Sequence, residues 1–167
     1  MPPPRPIAIA LGANQGDRFA AFDRAVGLLD SLGVGLLRLS AYYWTRPLPG
    51  SAGPRYLNAA GAFRTDLSPL ALLDRCREVE RTMGRRRGER GAPRVIDLDL
   101  IFYGSVRMSH PRLRLPHPAW RERDFVLAPL LDLGIPPPSR IALPGFRRLL
   151  AELPAEKRCI ESRVGRP

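Results

Sequence analysis

The sequence predicts an α+β fold in which a ferredoxin-like antiparallel sheet carries helices packed on its faces. Three observations predict it. Strand-like and helical patterns follow the order strand, helix, strand, strand, helix, strand. No internal repeat interrupts that order, and 167 residues suffice for one core but not for two ordinary domains. Because this arrangement hosts many unrelated functions, the function has to be argued from the site.

The first part of the chain supplies a strand and a helix. Residues 7–11 are a short apolar run that ends in the turn-forming residues 12–17. From Arg18 apolar residues recur at helical spacing, with Asp17 placed to cap the first turn and Gly33 to end the last. These residues predict an amphipathic helix behind the first strand.

Two further strands and a second helix follow. Residues 36–44 and 56–63 have strand-like composition, and the loop 45–55 between them is rich in proline and glycine. Ser68 before a proline is a typical helix start, and one apolar stripe continues to Gly84. The loop is long enough to carry function.

The second half contains the last strand of the predicted sheet. Residues 84–94 hold five arginines and three glycines without hydrophobic period, which predicts a mobile loop, and residues 95–103 read as a strand. Short helices are predicted near 125–131 and 146–150, before a ragged tail. The domain prediction is a disordered tail at 1–6, a catalytic domain at 7–133, and a Pro-rich linker with a C-terminal extension at 134–167, either packed on the domain or trailing from it.

Composition restricts the partners and the compartment. A net charge of +11 favours anionic partners, although nearly all of it is arginine and part can reflect codon preference. No apolar run is long enough to cross a bilayer or to serve as a secretion signal, so a cytoplasmic protein is expected. Cys76 and Cys159 have neither metal-ligand nor disulfide spacing, and Cys76 is expected in the core.

The residues with the clearest chemistry are Asp97 and Asp99. Side chains two apart on a strand share a face with Cα atoms roughly 6 to 7 Å apart, so both carboxylates can reach one cation or two neighbouring ones. The opposite face, formed by Ile96, Leu98, Leu100 and Phe102, is continuously apolar and fixes the register. The alternative is that both acids face solvent and oppose pairing of an exposed strand edge with another chain. Repulsion between them favours a bound hard cation such as Mg²⁺.

Arginines flank the two acids on both sides. Guanidinium groups bind phosphate oxygens bidentately, so acids, metal and arginines together are typical of a phosphoryl-transfer site. An arginine-rich glycine loop alone more often indicates a solvated or nucleic-acid-binding segment. The turn after the first strand lacks the residues of a Walker loop or a dinucleotide fingerprint. His117, a lone histidine between two prolines, is only weak evidence for a ligand-binding residue. The residues concerned are Arg85, Arg86, Arg87, Arg90 and Arg94 upstream, and Arg112, Arg114, His117, Arg121 and Arg123 downstream.

These motifs resemble those of the hydroxymethyl-dihydropterin pyrophosphokinases of folate biosynthesis. The resemblance covers roughly residues 7–131 in order, and its most specific part is 93–100, Pro-Arg-Val-Ile-Asp-Leu-Asp-Leu. Residues 11–17, 56–59 and 115–117 support it. It implies an ATP-dependent diphosphotransferase that moves pyrophosphate from ATP to the hydroxymethyl oxygen of a reduced pterin and releases AMP.

The resemblance also implies roles for individual residues. Asp97 and Asp99 would hold two Mg²⁺ ions, and Arg85 and Arg94 would act with them in catalysis. The implied ATP-binding residues are Glu80, Arg85, Arg94, Ile96, Arg112, His117 and Arg123. The implied pterin-binding residues are Gly12, Thr45, Arg46, Leu48, Tyr56, Asn58, Asp97 and Phe125, with the heterocycle stacked between Tyr56 and Phe125.

The chain departs from the family pattern at a few positions. The family commonly has a tryptophan in the segment that here reads Arg90-Gly91-Ala92-Pro93-Arg94, Ala13 replaces a usual serine, and Pro118 stands where an aromatic residue is frequent. Closure of the loop over substrate is therefore the step expected to differ. Two other functions remain open: an arginine-rich ferredoxin-like nucleic-acid-binding module, and a relative acting on another heterocyclic alcohol. The favoured interpretation is a monomer acting on ATP and a reduced pterin, without nucleic acid or membrane.

Overall fold

The computed structural model describes residues 6–85, 93–135 and 145–165. The helices in these ranges are α1 (Arg18–Ser31), α2 (Pro69–Thr82), α3 (Asp124–Leu133) and α4 (Phe146–Glu152), with single 3₁₀ turns at Trp120–Glu122 and Ala155–Lys157. The strands are β1 (Ile7–Ala13), β2 (Gly35–Leu39), β3 (Tyr42–Thr45), β4 (Tyr56–Arg64), β5 (Asp97–Tyr103), β6 (Met108–His110), β7 (Leu113–Leu115) and β8 (Ile160–Val164).

The main sheet is antiparallel throughout and confirms the ferredoxin-like prediction. Its strands follow the order β5, β1, β4, β3, β8, and β2 also pairs with β4. The predicted strand at 36–44 is divided into β2 and β3, because Ser40 interrupts it. The Ser40 hydroxyl accepts a hydrogen bond from the Ala60 amide at 2.9 Å, and the Ser40 amide donates to the Ala60 carbonyl at 2.9 Å.

Helices α1 and α2 begin where the sequence predicts. The Asp17 side chain accepts a hydrogen bond from the Ala20 amide, and Ser68 accepts one from Ala71, so each N-cap satisfies an amide of the first turn. Both helices cover one face of the sheet, where a core forms around Phe22, Leu29, Leu72 and Val79 with apolar residues of β1, β4 and β5. Cys76 is in this core, as predicted.

The other face of the sheet is covered by α3 and α4. Phe102, Trp120 and Phe146 form an aromatic cluster there, with ring centroids 5.0 to 6.3 Å apart. The prediction that Phe102 continues the apolar face of Leu98 and Leu100 is wrong. The register of β1 against β5 shifts by one residue, which leaves Ile101 as an extra residue and turns Phe102 to the α3 face.

Two features were not predicted from the sequence. Strands β6 and β7 form a hairpin that carries Arg112 and leads to His117. The tail predicted to be ragged contains β8, which pairs with β3 at the edge of the main sheet. Three predicted segments lie wholly or largely outside the described residues. They are the tail at 1–6, of which only Pro6 is described, the arginine segment 86–92 and the Pro-rich segment 136–144. No helix in the described ranges is long and apolar enough to cross a membrane.

Candidate active site

The floor of the site is a row of three residues across neighbouring strands. Gly12 on β1 is directly opposite Asn58 on β4 and directly opposite Asp97 on β5. Residues opposite each other in antiparallel strands project from the same face, so Asp97, Gly12 and Asn58 all face the side covered by α3. The absence of a side chain at Gly12 leaves open space between the acid and the amide. Ala10, opposite Asp99, extends the same face with another small residue.

Asp97 is paired with two of the predicted catalytic arginines. Its Oδ1 atom accepts a hydrogen bond from Arg85 Nη1 at 2.7 Å, and its Oδ2 atom accepts one from Arg94 Nη1 at 2.6 Å. The side chains of Asp97 and Arg94 are only partly buried, at 20% and 37% exposure, so ligands can reach both groups. Each guanidinium has further N–H groups, and these can bind phosphate oxygens.

Asp99 has a different environment. Burial, together with the negative charge of Asp97, raises the pKa of its carboxyl group to about 6, against the lowering effect of Arg123, Arg94 and Arg85. No hydrogen bond to the Asp99 carboxylate is formed by any described residue. A carboxylate that is desolvated, repelled by its neighbour and without a donor is the kind of group that a cation stabilises.

The two carboxylates fit a hard cation such as Mg²⁺. In residues 6–85, 93–135 and 145–165 no cluster of three or more His, Cys, Asp or Glu side chains is placed to hold a metal. A cation bound by Asp97 and Asp99 would therefore complete its ligand shell with substrate phosphates and water, which is the coordination that Mg²⁺ commonly has at phosphate-binding sites.

Glu80 is a buried acid that supports this arrangement. Its Oε1 atom accepts hydrogen bonds from the Leu98 amide at 2.8 Å and from Arg85 Nη1 at 2.5 Å. Burial raises the pKa of Glu80, while the Leu98 amide and Arg85 act to lower it. Glu80 lines the cavity, and its contacts fix both the strand that carries the acids and the Arg85 side chain.

Asn14 is a buried residue that supports the site from outside the cavity, and the sequence did not indicate this role. It is 4% exposed, its side-chain Oδ1 accepts a hydrogen bond from the Arg94 amide at 2.6 Å, and its own amide donates to the Arg94 carbonyl at 2.9 Å. The turn after β1 is thus attached to the segment that enters β5. The only sequence signal was an asparagine in a turn, which has a local explanation on its own.

His117 is half-buried beside Arg123. Burial and the charge of Arg123 lower its pKa, so the imidazole is neutral near pH 7. Its Nδ1 atom accepts a hydrogen bond from the Ala119 amide at 3.2 Å. The proton of the neutral ring is therefore on Nε2, and that nitrogen can donate to a phosphate oxygen.

The opposite side of the site is aromatic. Tyr56 at the start of β4 and Phe125 in the first turn of α3 both line the cavity, and neither ring contacts the other in the described part of the chain. The Arg123 guanidinium lies over the Phe125 ring, 5.8 Å from its centroid. Asn58 donates from Nδ2 to Thr45 Oγ1 at 2.8 Å, which orients its amide oxygen.

One cavity of about 1100 Å³ collects nearly all the predicted site residues. Those that line it are Gly12, Thr45, Arg46, Leu48, Tyr56, Asn58, Glu80, Arg85, Arg94, Asp97, Asp99, Arg112, His117, Arg123 and Phe125. Ile96 is the exception, because its side chain is fully buried in the core beneath α1 and α2 and does not reach the cavity. Arg112 is paired with Asp74 at the cavity rim. Leu73 and Arg77 on α2 also line the cavity and were not predicted.

The chain is similar in sequence to known proteins. Residues 8–135 match the model of the 7,8-dihydro-6-hydroxymethylpterin-pyrophosphokinase family. The chain belongs to this family. The family is named for pyrophosphokinases, which are diphosphotransferases. It is 45% identical over 127 residues to a mitochondrial folate synthesis bifunctional protein of Arabidopsis thaliana. It is 41% identical over 127 residues to a 2-amino-4-hydroxy-6-hydroxymethyldihydropteridine pyrophosphokinase of Methylorubrum extorquens.

These relatives differ in length. The matched part is 76% of this chain and 23% of the Arabidopsis protein, but 75% of this chain and 80% of the Methylorubrum protein. A solved structure of the Plasmodium falciparum HPPK-DHPS protein has a TM-score of 0.65 at 14% identity, and the match covers 88% of this chain and 43% of that one. That likeness supports the fold of the family member described here.

Proposed function

We propose that this family member transfers pyrophosphate from ATP to the hydroxymethyl group of 6-hydroxymethyl-7,8-dihydropterin and releases AMP. The observation that carries the proposal is the single cavity in which Asp97 and Asp99 face arginines on one side and Tyr56 and Phe125 on the other. A triphosphate needs the acids and arginines, and a flat heterocycle needs the two aromatic rings.

In the proposed reaction the hydroxymethyl oxygen forms a bond to the β-phosphorus of ATP. The bond between that phosphorus and the oxygen bridging it to the α-phosphorus breaks, AMP leaves, and one proton is released. The two reacting oxygens have to lie in line, so the enzyme contributes mainly positioning and charge stabilisation. Mg²⁺, two ions by family resemblance, held by Asp97 and Asp99 would neutralise phosphate charge and orient the triphosphate.

The arginines bind the phosphates in this proposal. Arg85 and Arg94 are held beside Asp97 by short hydrogen bonds, so their positive charge is already next to the acids before substrate arrives. Glu80 fixes Arg85, and Asn14 fixes the backbone of Arg94. Such preorganised charge stabilises the negative charge on the transferring group without reorganisation during the reaction.

The aromatic side binds the pterin in this proposal. Tyr56 and Phe125 provide two ring faces, and offset stacking adds about 0.5 to 1.5 kcal/mol beyond burial for an aromatic pair. Asn58 and the backbone from Thr45 to Leu48 provide polar partners for the edge of the heterocycle. His117, with its proton on Nε2, and Arg123 bind phosphate oxygens where the two substrates meet.

We further propose that the catalytic domain is residues 7–133, that 134–167 are an extension, and that the protein acts as a monomer in the cytoplasm. Its partners are ATP and a reduced pterin rather than nucleic acid. The net charge of +11 motivated the nucleic-acid alternative. An oligonucleotide titration tests it, because that module would bind without Mg²⁺ and with a steep loss of affinity as salt rises.

A binding titration tests the proposal as a whole. The protein is titrated with 6-hydroxymethylpterin in the presence of Mg²⁺ and a non-hydrolysable ATP analogue, with calorimetry as the readout. The proposal expects pterin binding that depends on the analogue. Binding of the analogue without any pterin binding would favour a relative acting on another alcohol, and binding of neither would overturn the assignment.

A further inference from the structure

The C-terminal residues beyond the family match contact both sides of the proposed pterin compartment. We define residues 157–162 as the C-terminal brace. It includes the start of β8, and it lies outside the residues 8–135 that match the family model. Nothing in the match therefore assigns it a role, although it is attached to cavity residues from two separate parts of the chain.

The first attachment is Asp124, the first residue of α3. Asp124 is 3% exposed, and its Oδ2 atom accepts hydrogen bonds from the Cys159 amide at 2.6 Å and the Ile160 amide at 2.8 Å. Its Oδ1 atom is buried and has no hydrogen-bond partner among the described residues. Arg123 and Phe125, on either side of Asp124 in the chain, both line the cavity.

The second attachment is Arg46, which follows β3 and lines the other wall. The Arg46 amide donates to the Cys159 carbonyl at 3.0 Å, and Arg46 Nη2 donates to the Arg158 carbonyl at 2.5 Å. Thr45, whose hydroxyl binds Asn58, pairs with Ile160 in the sheet. The brace thus holds the residues where the cavity loop leaves β3.

A single residue joins the two walls. The Cys159 amide is bound by Asp124 and its carbonyl is bound by the Arg46 amide, and Cys159 itself is 1% exposed. Because water has little access there, a broken hydrogen bond would leave a buried polar group unsatisfied. The separation between Phe125 and the Thr45 to Leu48 segment is therefore tied to the backbone geometry of one residue, Cys159.

We propose that Asp124 is a positioning residue that acts through the C-terminal brace to set the spacing between Phe125, which forms one face of the heterocycle slot, and the Thr45 to Leu48 segment at the edge of that slot. The inference rests on the proposed function. When loop 45–48 and Phe125 are fixed before binding, less conformational entropy is lost as the heterocycle binds. The brace therefore contributes to affinity without touching the substrate. The phosphate side, built from α2 and β5, makes no hydrogen bond to the brace among the described residues.

The test compares two variants of Asp124 in the full chain. Asp124→Ala leaves the two brace amides without an acceptor, and we expect the Kd for 6-hydroxymethylpterin to rise about tenfold while the Kd for the ATP analogue changes less than about twofold. Asp124→Asn retains one oxygen that can accept from both amides, so it should restore most of the affinity. If the alanine variant does not fold, Asp124→Ser serves, because its hydroxyl is too short to reach both amides.

Asp132→Ala is the matched control. Asp132 lies near the other end of α3 and also connects this helix to the sheet, through the Ala41 amide and the Tyr43 hydroxyl, but it does not line the cavity. We expect it to lower the melting temperature without changing pterin affinity. Amide hydrogen exchange at Arg46 should become faster in Asp124→Ala and not in Asp132→Ala.

The outcomes separate this inference from the proposed function. If the wild-type protein binds the ATP analogue but no pterin, the proposed function fails and the inference fails with it. If the wild type binds pterin and Asp124→Ala binds it equally well, the brace inference alone is overturned. Equal loss of pterin affinity in Asp124→Ala and Asp132→Ala would also overturn it, because a general loss of stability would then explain both.

Discussion

Asn14 and Arg94, eighty positions apart in the chain, hold each other through two hydrogen bonds. The Arg94 amide donates to Asn14 Oδ1 at 2.6 Å, and the Asn14 amide donates to the Arg94 carbonyl at 2.9 Å. The turn after β1 and the entry to β5 are therefore one unit. Through this unit the side chain of Arg94 is placed against Asp97.

Removing the Asn14 side chain should disturb that unit. Asn14→Ala leaves the Arg94 amide without its acceptor in a part-buried position, which should lower the free energy of unfolding by about 1 to 3 kcal/mol. We also expect lower kcat, because Arg94 would no longer be fixed. Denaturant unfolding and steady-state kinetics measure the two effects. Asn14→Asp keeps an acceptor oxygen and is the control; an alanine variant as stable and active as wild type would contradict the role.

Asp97 should be essential for activity but not for folding. Asp97→Ala removes a cation ligand and the partner of Arg85 and Arg94, and we expect activity to fall roughly a hundredfold or more. Because the Asp97 side chain is partly exposed, circular dichroism should remain that of the wild type. Asp23→Ala, an exposed acid on α1, is the control and should retain full activity. Comparable activity in both variants would remove Asp97 from the site.

The pH dependence of Mg²⁺ binding should report on Asp99. Burial raises the pKa of Asp99 from 3.8 to about 6, so the carboxylate that binds a cation is lost as pH falls through that value. A Mg²⁺ titration followed by calorimetry should show weakening affinity below about pH 6. Mg²⁺ affinity that stays constant from pH 7 to 5 would contradict this assignment.

The same shift has a consequence for stability without metal. The folded-state pKa of Asp99 is above its unfolded value, so the folded state binds this proton more tightly. The stabilisation is fully present below pH 3.8 and is lost as pH rises through about 6. Replacing Asp99 by Asn should remove this contribution to the pH dependence, which denaturant unfolding at several pH values measures.

Gly12 should be needed for space rather than for flexibility. A Cβ atom at this position would lie 3.2 Å from Asn58 Oδ1, in the open part of the floor between Asn58 and Asp97. We expect Gly12→Ala to raise the Kd for the pterin about tenfold, with a smaller effect on the ATP analogue. Gly27→Ala, where a Cβ atom would meet nothing within 4 Å on α1, is the control. Unchanged pterin affinity in Gly12→Ala would contradict the role of this space.

The parts of the fold that could be predicted from the sequence are those determined by local pattern. Examples are the helix caps at Asp17 and Ser68 and the alternation of faces around Asp97 and Asp99. Each depends on residues within a few positions of one another, so the sequence alone predicts it. The bulge at Ile101 depends on the partner strand, and no pattern in β5 alone indicates it.

The missed features all depend on distant partners. Asn14 is important because of Arg94, and the strand Ile160–Val164 exists because the edge of β3 is available to it. The sequence of this strand does not alternate between apolar and polar residues, because three consecutive polar residues lie between Ile160 and Val164. Family resemblance supplied Tyr56, Asn58 and Phe125, whose types alone would have suggested core or turn residues.

The central claim is that the chain transfers a pyrophosphoryl group to a pterin. The most direct measurement is the nucleotide formed when the full chain is incubated with ATP, Mg²⁺ and 6-hydroxymethyl-7,8-dihydropterin, separated by ion-exchange chromatography. The account predicts AMP in equal amount to pterin diphosphate, and none when either the pterin or Mg²⁺ is omitted. Formation of ADP, or no turnover with the pterin, would contradict it.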